Sequence, residues 1–294
     1  MRGRPASVRE RPTEWWLGVL RRRAERQSQE HLDLSEPVVW ASDAEKKAAI
    51  KFFNAAFRAE ESGLRQAHEL ADEVRGFDPA LSEVLRLYGD EEGWHRELLT
   101  DFLAFIGGRV EPMGRVTRAL YRLYGRATRM ETIVLTNLMF ETIGSTTYRL
   151  ALGRVEHPAA RHVLTILTRD ESFHVPLNVH FLRKVLERRS RWARARLAVI
   201  HHLVFLGLIA LPLASRPKAG AFDHIGRLEL MRAYAAMLGG LFAREPDLGL
   251  APPRLALWLL GVERADLESQ IVASTSIEAA ERAANREDVV VSAL

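Results

Sequence analysis

Apolar residues recur along this chain at three- and four-residue spacings over long windows, and no stretch alternates with period two between turn signals. The pattern predicts helix after helix. Ser42-Asp43-Ala44-Glu45 forms a capping box that opens a helix running to about Arg75. Asp78-Pro79 supplies an N-cap with Pro at the first helical position, and Gly107-Gly108 stops that second helix. A third long pattern covers about 129–154 and a fourth about 158–189. Short links join the first helix to the second and the third to the fourth, which favours two antiparallel hairpins. Between Gly107 and Arg129 lie about twenty residues, including the amphipathic VTRALYRLYG, enough chain to cross a bundle lengthwise. The third helix then starts parallel to the second. The expected fold is an all-α four-helix bundle over 42–189 with a crossover connection and additional C-terminal helices.

The flanks read differently. Residues 1–41 form a basic extension in which Trp15, Trp16, Leu17, Val19 and Leu20 predict a short amphipathic helix docked on the body. Residues 190–277 predict additional helices packed on the bundle, and 278–294 a tail. Within 197–214 the run LAVIHHLVFLGLIALPLA carries no formal charge. It stands between Arg188, Arg189, Arg191, Arg194 and Arg196 on one side and Arg216 and Lys218 on the other. That length is near the minimum for a spanning helix, and the flanks resemble those of a membrane segment. His201, His202 and Pro212 argue the other way. The run reads first as a buried fifth helix and second as a helix dipping into a membrane; its histidines become ligands only if it passes a metal site.

Composition narrows the function classes. With 294 residues, 47% hydrophobic and 27% charged, the chain is globular rather than disordered. The absence of cysteine excludes a disulfide framework, a thiolate zinc site, a cysteine-bound iron–sulfur cluster and a cysteine nucleophile. A net charge of +4 does not call for a nucleic-acid partner. The basic N-terminus lacks the apolar core of a secretory signal, so the expected location is cytoplasmic, or peripheral to a membrane if 197–214 meets one.

The chemistry lies in six residues that interrupt apolar stripes. Glu92-Gly93-Trp94-His95 and Glu171-Ser172-Phe173-His174 are both Glu-x-x-His, a spacing that puts carboxylate and imidazole on one helix face about 5–6 Å apart. In the second helix the stripe through Leu81, Leu85, Tyr88, Leu99 and Phe102 contains Glu92 and His95. In the fourth, Val163, Leu167, Leu177 and Phe181 flank Glu171 and His174. Glu60 lies at the centre of the stripe Phe53, Ala56, Phe57, Leu64 and Ala67; Glu61, about 100° away, is the alternative. Glu141 lies on the line Met130, Val134, Leu138, Ser145 and Tyr148. The chain reads as one hairpin used twice about a pseudo-twofold axis. Four buried carboxylates cost several kcal/mol each unless cations answer them. Two divalent ions do, and hard oxygen donors with one imidazole per metal suit iron, or an iron–manganese pair.

This ligand pattern, one Glu from each of two helices and Glu-x-x-His from each of two others, resembles the ferritin-like di-iron carboxylate superfamily over about residues 45–188. Glu91-Glu92-x-x-His95 and Asp170-Glu171-x-x-His174 are similar to the paired motifs of acyl-carrier-protein desaturases and bacterial multicomponent monooxygenases. The resemblance implies that Glu91 and Asp170 each steady the metal-bound His of the opposite hairpin. It implies that Ser145, one turn after Glu141, donates a proton or hydrogen bond at an O2 site, although a core Ser bonded to its own helix is the equal alternative. Leu99 stands where the ribonucleotide reductase radical subunit has Tyr, and Leu167 where arylamine N-oxygenases have His. Rubrerythrins carry a cysteine-rich module, and ferritins lack the double Glu-x-x-His. What the resemblance leaves is an oxygenase or oxidase using two iron ions and O2 to hydroxylate, desaturate or otherwise oxidise a small hydrophobic or acyl-type substrate. Its expected partners are an external donor such as a ferredoxin with its reductase, an acyl carrier protein and a second copy in a homodimer. Rival readings are an iron-oxidising, metal-handling protein and a membrane-associated di-iron quinol oxidase. Phe57, Trp94, Phe140 and Phe173 are candidate pocket walls or plain core. Gly63, Gly93, Gly144 and Pro176 are expected to make room beside the ligands, Pro176 by disturbing the fourth helix.

Overall fold

Ser42 caps the first long helix as its spacing predicts, its hydroxyl accepting the Glu45 N–H at 3.2 Å. In a computed structural model of the chain, residues 11–114, 118 and 127–268 are described, the side chains of 215–219 excepted. Among the described residues the chain is helical and holds no strand. The order is α1 (Thr13–Gln27), α2 (Asp43–Val74), α3 (Pro79–Phe105), α4 (Met130–Leu152), α5 (Pro158–Glu187), α6 (Arg191–Asp223) and α7 (Arg227–Arg244). A single 3-10 turn (Pro246–Leu248) and two short helices, α8 (Arg254–Leu259) and α9 (Arg264–Leu267), follow. Asp78 caps α3 through the Leu81 N–H at 3.0 Å. Gly107, at φ +72°, turns the chain out of α3 while the Gly108 N–H returns to the Leu103 carbonyl at 2.8 Å.

α2 and α3 pack as an antiparallel hairpin: Phe53 meets Phe102 at 4.6 Å between ring centres, and the Ser82 hydroxyl reaches the Ala71 carbonyl at 2.7 Å. α4 and α5 pair the same way, with Arg161 on the Leu152 carbonyl and Asn137 on Asn178. The hairpins face each other, α2 on α4 and α3 on α5. Tyr88 meets Asn137 and Glu141 while Phe52, beside Phe53, meets Tyr148, so α3 and α4 run parallel. Their connection, including VTRALYRLYG, lies outside the described residues apart from Arg118 and the segment's two ends, as do 269–277 and the expected tail at 278–294.

The amphipathic helix expected at the N-terminus is α1, docked along α3 with Trp16, Val19 and Leu20 buried. Two expectations change. Pro176 does not end α5, which runs on to Glu187; packing on both sides of that buried stretch carries the helix past the missing N–H. The apolar run 197–214 belongs to a longer helix, α6, that is buried on one face only. Leu197, His201, Phe205 and Leu208 pack inward, against elements that include α2, α4 and α7, while the other face is bare. His201 rests on Phe242 at 4.3 Å and His202 bonds the Ala198 carbonyl at 2.8 Å, so neither joins the carboxylates.

Candidate metal centre

Midway along the bundle, α2 supplies Glu60, α3 Glu92 and His95, α4 Glu141, and α5 Glu171 and His174. All six are buried. They form two sets, Glu60, Glu92, His95 and Glu171, and Glu92, Glu141, Glu171 and His174. Within each set one ligand atom per residue lies within 4.8 Å of the others. Glu92 and Glu171 belong to both sets, and the two imidazole rings stand 5.8 Å apart. Glu61, the alternative to Glu60, points away and pairs with Arg58 at 2.6 Å.

The imidazoles are oriented across the hairpins. His95 Nε2 meets Asp170 of α5 at 3.2 Å, and His174 Nε2 meets Glu91 of α3 at 3.1 Å. Each Nδ1 therefore turns inward, His95 toward Glu60 at 3.3 Å and His174 toward Glu92 at 3.0 Å. Arg23 of α1 bridges both outer acids, Glu91 at 2.7 Å and Asp170 at 2.8 Å. Arg26 and Arg169 add contacts to Asp170 at 2.9 Å each, and Arg169 also grips Glu30 at 2.8 Å. Three arginines thus answer Glu91, Asp170 and Glu30, and the outer layer closes its own charge. Two tyrosines hold the remaining carboxylates: Tyr88 donates to Glu141 at 2.8 Å and Tyr148 to Glu60 at 2.9 Å. Burial first, then the nearby carboxylates, raises both phenols, which keeps them protonated donors.

Among the described residues, the arginines that meet this centre bind its outer acids. Burial, with Glu60 and Glu141 alongside, lifts Glu92 well above the usual carboxyl range, and burial beside Glu141 does the same for Glu171. Burial opposes charge on His95, yet its bonds to Asp170 and Glu60 raise it to about 10. His174 is raised as well, burial losing to the Glu92 and Glu171 carboxylates. Burial also works against ionised Glu141, but Glu171 and His174 hold it at about 2. Protons therefore occupy the place of cations in the inner layer. Glu92 Oε1, Glu171 Oε2 and His174 Nδ1 are buried without a well-formed hydrogen bond, the mark of donors short of a partner. Four carboxylates, two imidazoles and uncommitted donor atoms fit a pair of divalent cations.

A cavity of about 40 Å³ opens between α2 and α4 onto Glu60, Glu92, Glu141 and Glu171. Ala59, Ser62 and Gly63 form one wall and Phe140 and Gly144 the other. Of the four candidate wall aromatics only Phe140 lines it. Phe57 is core, Trp94 stacks beside His95 from another side, and Phe173 packs between Trp16 and Arg23. A Cβ on Gly63 would lie 3.1 Å from the Glu92 carboxylate, whereas one on Gly144 would meet open space and one on Gly93 only Leu64 at ordinary distance. Ser145 is fully buried and its hydroxyl makes no hydrogen bond, unlike Thr142 and Thr146, which bond their own helix. It does not line the cavity. Arg23, Arg26, Arg169, Tyr88 and Tyr148 are the members of the site that motif reading missed. The chain matches no protein-family model, no curated protein and no solved structure.

Two outcomes follow for the metal-free protein. A carboxyl whose pKa is raised on folding takes up a proton, so its penalty appears as pH climbs past the ordinary 4.5 and is absent below it. Glu92→Gln should therefore be more stable than the wild type at neutral pH and indistinguishable from it in acid, as read by urea unfolding in chelator. Arg23→Met leaves Glu91 and Asp170 buried and short of a cation, and should lose about 3–5 kcal/mol in the same assay, with partial recovery in Arg23→Lys.

Proposed function

We propose that this chain is a ferritin-like, non-haem di-iron oxygenase or oxidase that uses O2 to hydroxylate, desaturate or otherwise oxidise a small hydrophobic or acyl-type molecule. The crossed pairing carries the reading: each Glu-x-x-His imidazole bonds an acid of the opposite hairpin, which turns both Nδ1 atoms onto four carboxylates. Two antiparallel hairpins with parallel inner connection, and ligands drawn one Glu from α2 and α4 and Glu-x-x-His from α3 and α5, support the ferritin-like assignment.

Glu60 and His95 would hold one ion, Glu141 and His174 the other, with Glu92 and Glu171 common to both. Iron, or an iron–manganese pair, would supply the electrons for reducing O2, with an external donor restoring them. The chain's own residues do the rest. Asp170 and Glu91 fix the imidazole tautomers at Nε2. Tyr148 and Tyr88 hold one oxygen each of Glu60 and Glu141 and so set which oxygen is free to ligate. Ser145 Oγ, uncommitted one turn from Glu141, is the group assigned to hold a proton near the centre. The small residues at the α2–α4 mouth leave room for O2 beside the carboxylates.

The size of the cavity favours a second reading. At about 40 Å³ it takes O2 but not an acyl chain, which suits a protein that oxidises iron itself. Oxygen consumption separates the two. Iron-loaded protein supplied with ferredoxin, its reductase and acyl substrates should consume many O2 per chain and yield oxidised product, and Glu171→Ala should not. Consumption that stops once the added iron is oxidised, with iron taken up beyond two per chain, would replace the oxygenase by the iron-handling protein.

A further inference from the structure

α6 presents an apolar face that the fold leaves uncovered. Trp192, Val199, Leu203, Leu206 and Leu213 follow at steps of seven, four, three and seven residues, which places them on one side of the helix. Trp192 is 87% exposed and Leu203 66%. The stripe extends roughly 30 Å along the helix at 1.5 Å per residue. A surface helix of a soluble body carries charged residues on its outer side; here the outer side is as apolar as the inner one.

The inner face limits what the helix can do. It packs on elements that include α2, α4 and α7, and Arg196 and Arg189 tie the start of the helix region to Glu131 at 2.6 and 2.9 Å. Spanning would draw α2, with its exposed Arg65 and Glu69, into the hydrocarbon as well, so the helix does not cross a bilayer. It can lie in the plane of one, with the apolar side in the headgroup and acyl boundary. The charge pattern selects the occupant. Between Glu187 and Asp223 there is no acidic residue, whereas Arg188 and Arg191 stand exposed where the stripe begins. A second copy docked through this face brings no acidic residue from that stretch to meet them. Anionic headgroups complement both arginines, and Trp192 stands at the boundary where indole rings favour a lipid interface.

We propose that the Trp192–Leu213 face of α6 seats the protein on the surface of an anionic lipid bilayer, with the helix lying in the membrane plane. The inference is independent of the metal reading and fails or stands without it. Co-sedimentation of the full chain with phosphatidylcholine–phosphatidylglycerol vesicles, and with phosphatidylcholine vesicles alone, tests it. The wild type should sediment with the anionic vesicles far more than with the neutral ones and release in part at high salt. The Leu203→Glu, Leu206→Glu variant, changed only at exposed positions, should keep its helical circular dichroism and lose roughly tenfold or more of that binding. Wild-type protein left in the supernatant with both vesicles would overturn the proposal, as would binding that the variant retains. A dimer in sedimentation velocity that the variant dissociates would assign the face to a second copy instead.

Discussion

Everything at the centre of this protein depends on how buried negative charge is answered. Seven carboxylates meet in and around the bundle's midplane, and they fall into two layers. Glu91, Asp170 and Glu30 are matched by Arg23, Arg26 and Arg169 at hydrogen-bond distance. Burial would raise Glu91 and Asp170, but Arg23 heads the influences that hold both acids below the usual carboxyl range. Among the described residues, the arginines at the centre bind those outer acids; in the inner layer burial favours a proton on Glu92 and on Glu171, and the surrounding carboxylates favour one on each imidazole. Unpaired, that inner layer is expensive to bury. A fold retains such a cluster when something other than stability requires it, and the two divalent ions proposed above would replace the protons charge for charge.

The twofold arrangement makes the two layers act together. Each hairpin orients the imidazole of the other, so neither half of the centre is complete alone. Arg23, from a helix outside both hairpins, touches the two orienting acids at once. A shift of α1 therefore reaches both imidazoles through a single guanidinium. Tyr88 and Tyr148 repeat the same logic on the open side, one from each hairpin, each holding the Glu of the facing hairpin.

Much of this was legible in the chain. The four long helices follow from periodicity and caps, and the six inner residues stand out because ionisable side chains occupy positions where the stripe demands apolar ones. The choice of Glu60 over Glu61 rested on about 100° of helix rotation, and that angle separates a buried carboxylate from one paired with Arg58 at the surface. Arg23 was hidden because its partners lie 68 and 147 positions away. Its one local signal is its place seven residues after Trp16, on the buried face of α1. Tyr88 and Tyr148 read as core because an apolar stripe says where a ring goes, not what its hydroxyl finds. Of the wall-or-core aromatics, Phe57, Trp94 and Phe173 take the core alternative; Phe173 sits between Trp16 and Arg23 of α1, neighbours that its own helix pattern cannot show. For α6, hydrophobicity all round fits burial and lipid contact equally, and only packing separates the two faces.

Metal and proton stoichiometry, measured together on the same sample, bears most directly on the inner layer. Metal-free protein titrated with Fe(II) or Mn(II) in weak buffer near neutrality should take up two ions per chain, by mass spectrometry, and release about four protons. The Glu171→Ala, His174→Ala variant, still folded, should lose the paired uptake and the release with it. Folded wild-type protein that binds no stoichiometric metal, or binds it undiminished in the variant, would mean that these carboxylates are buried for some other purpose.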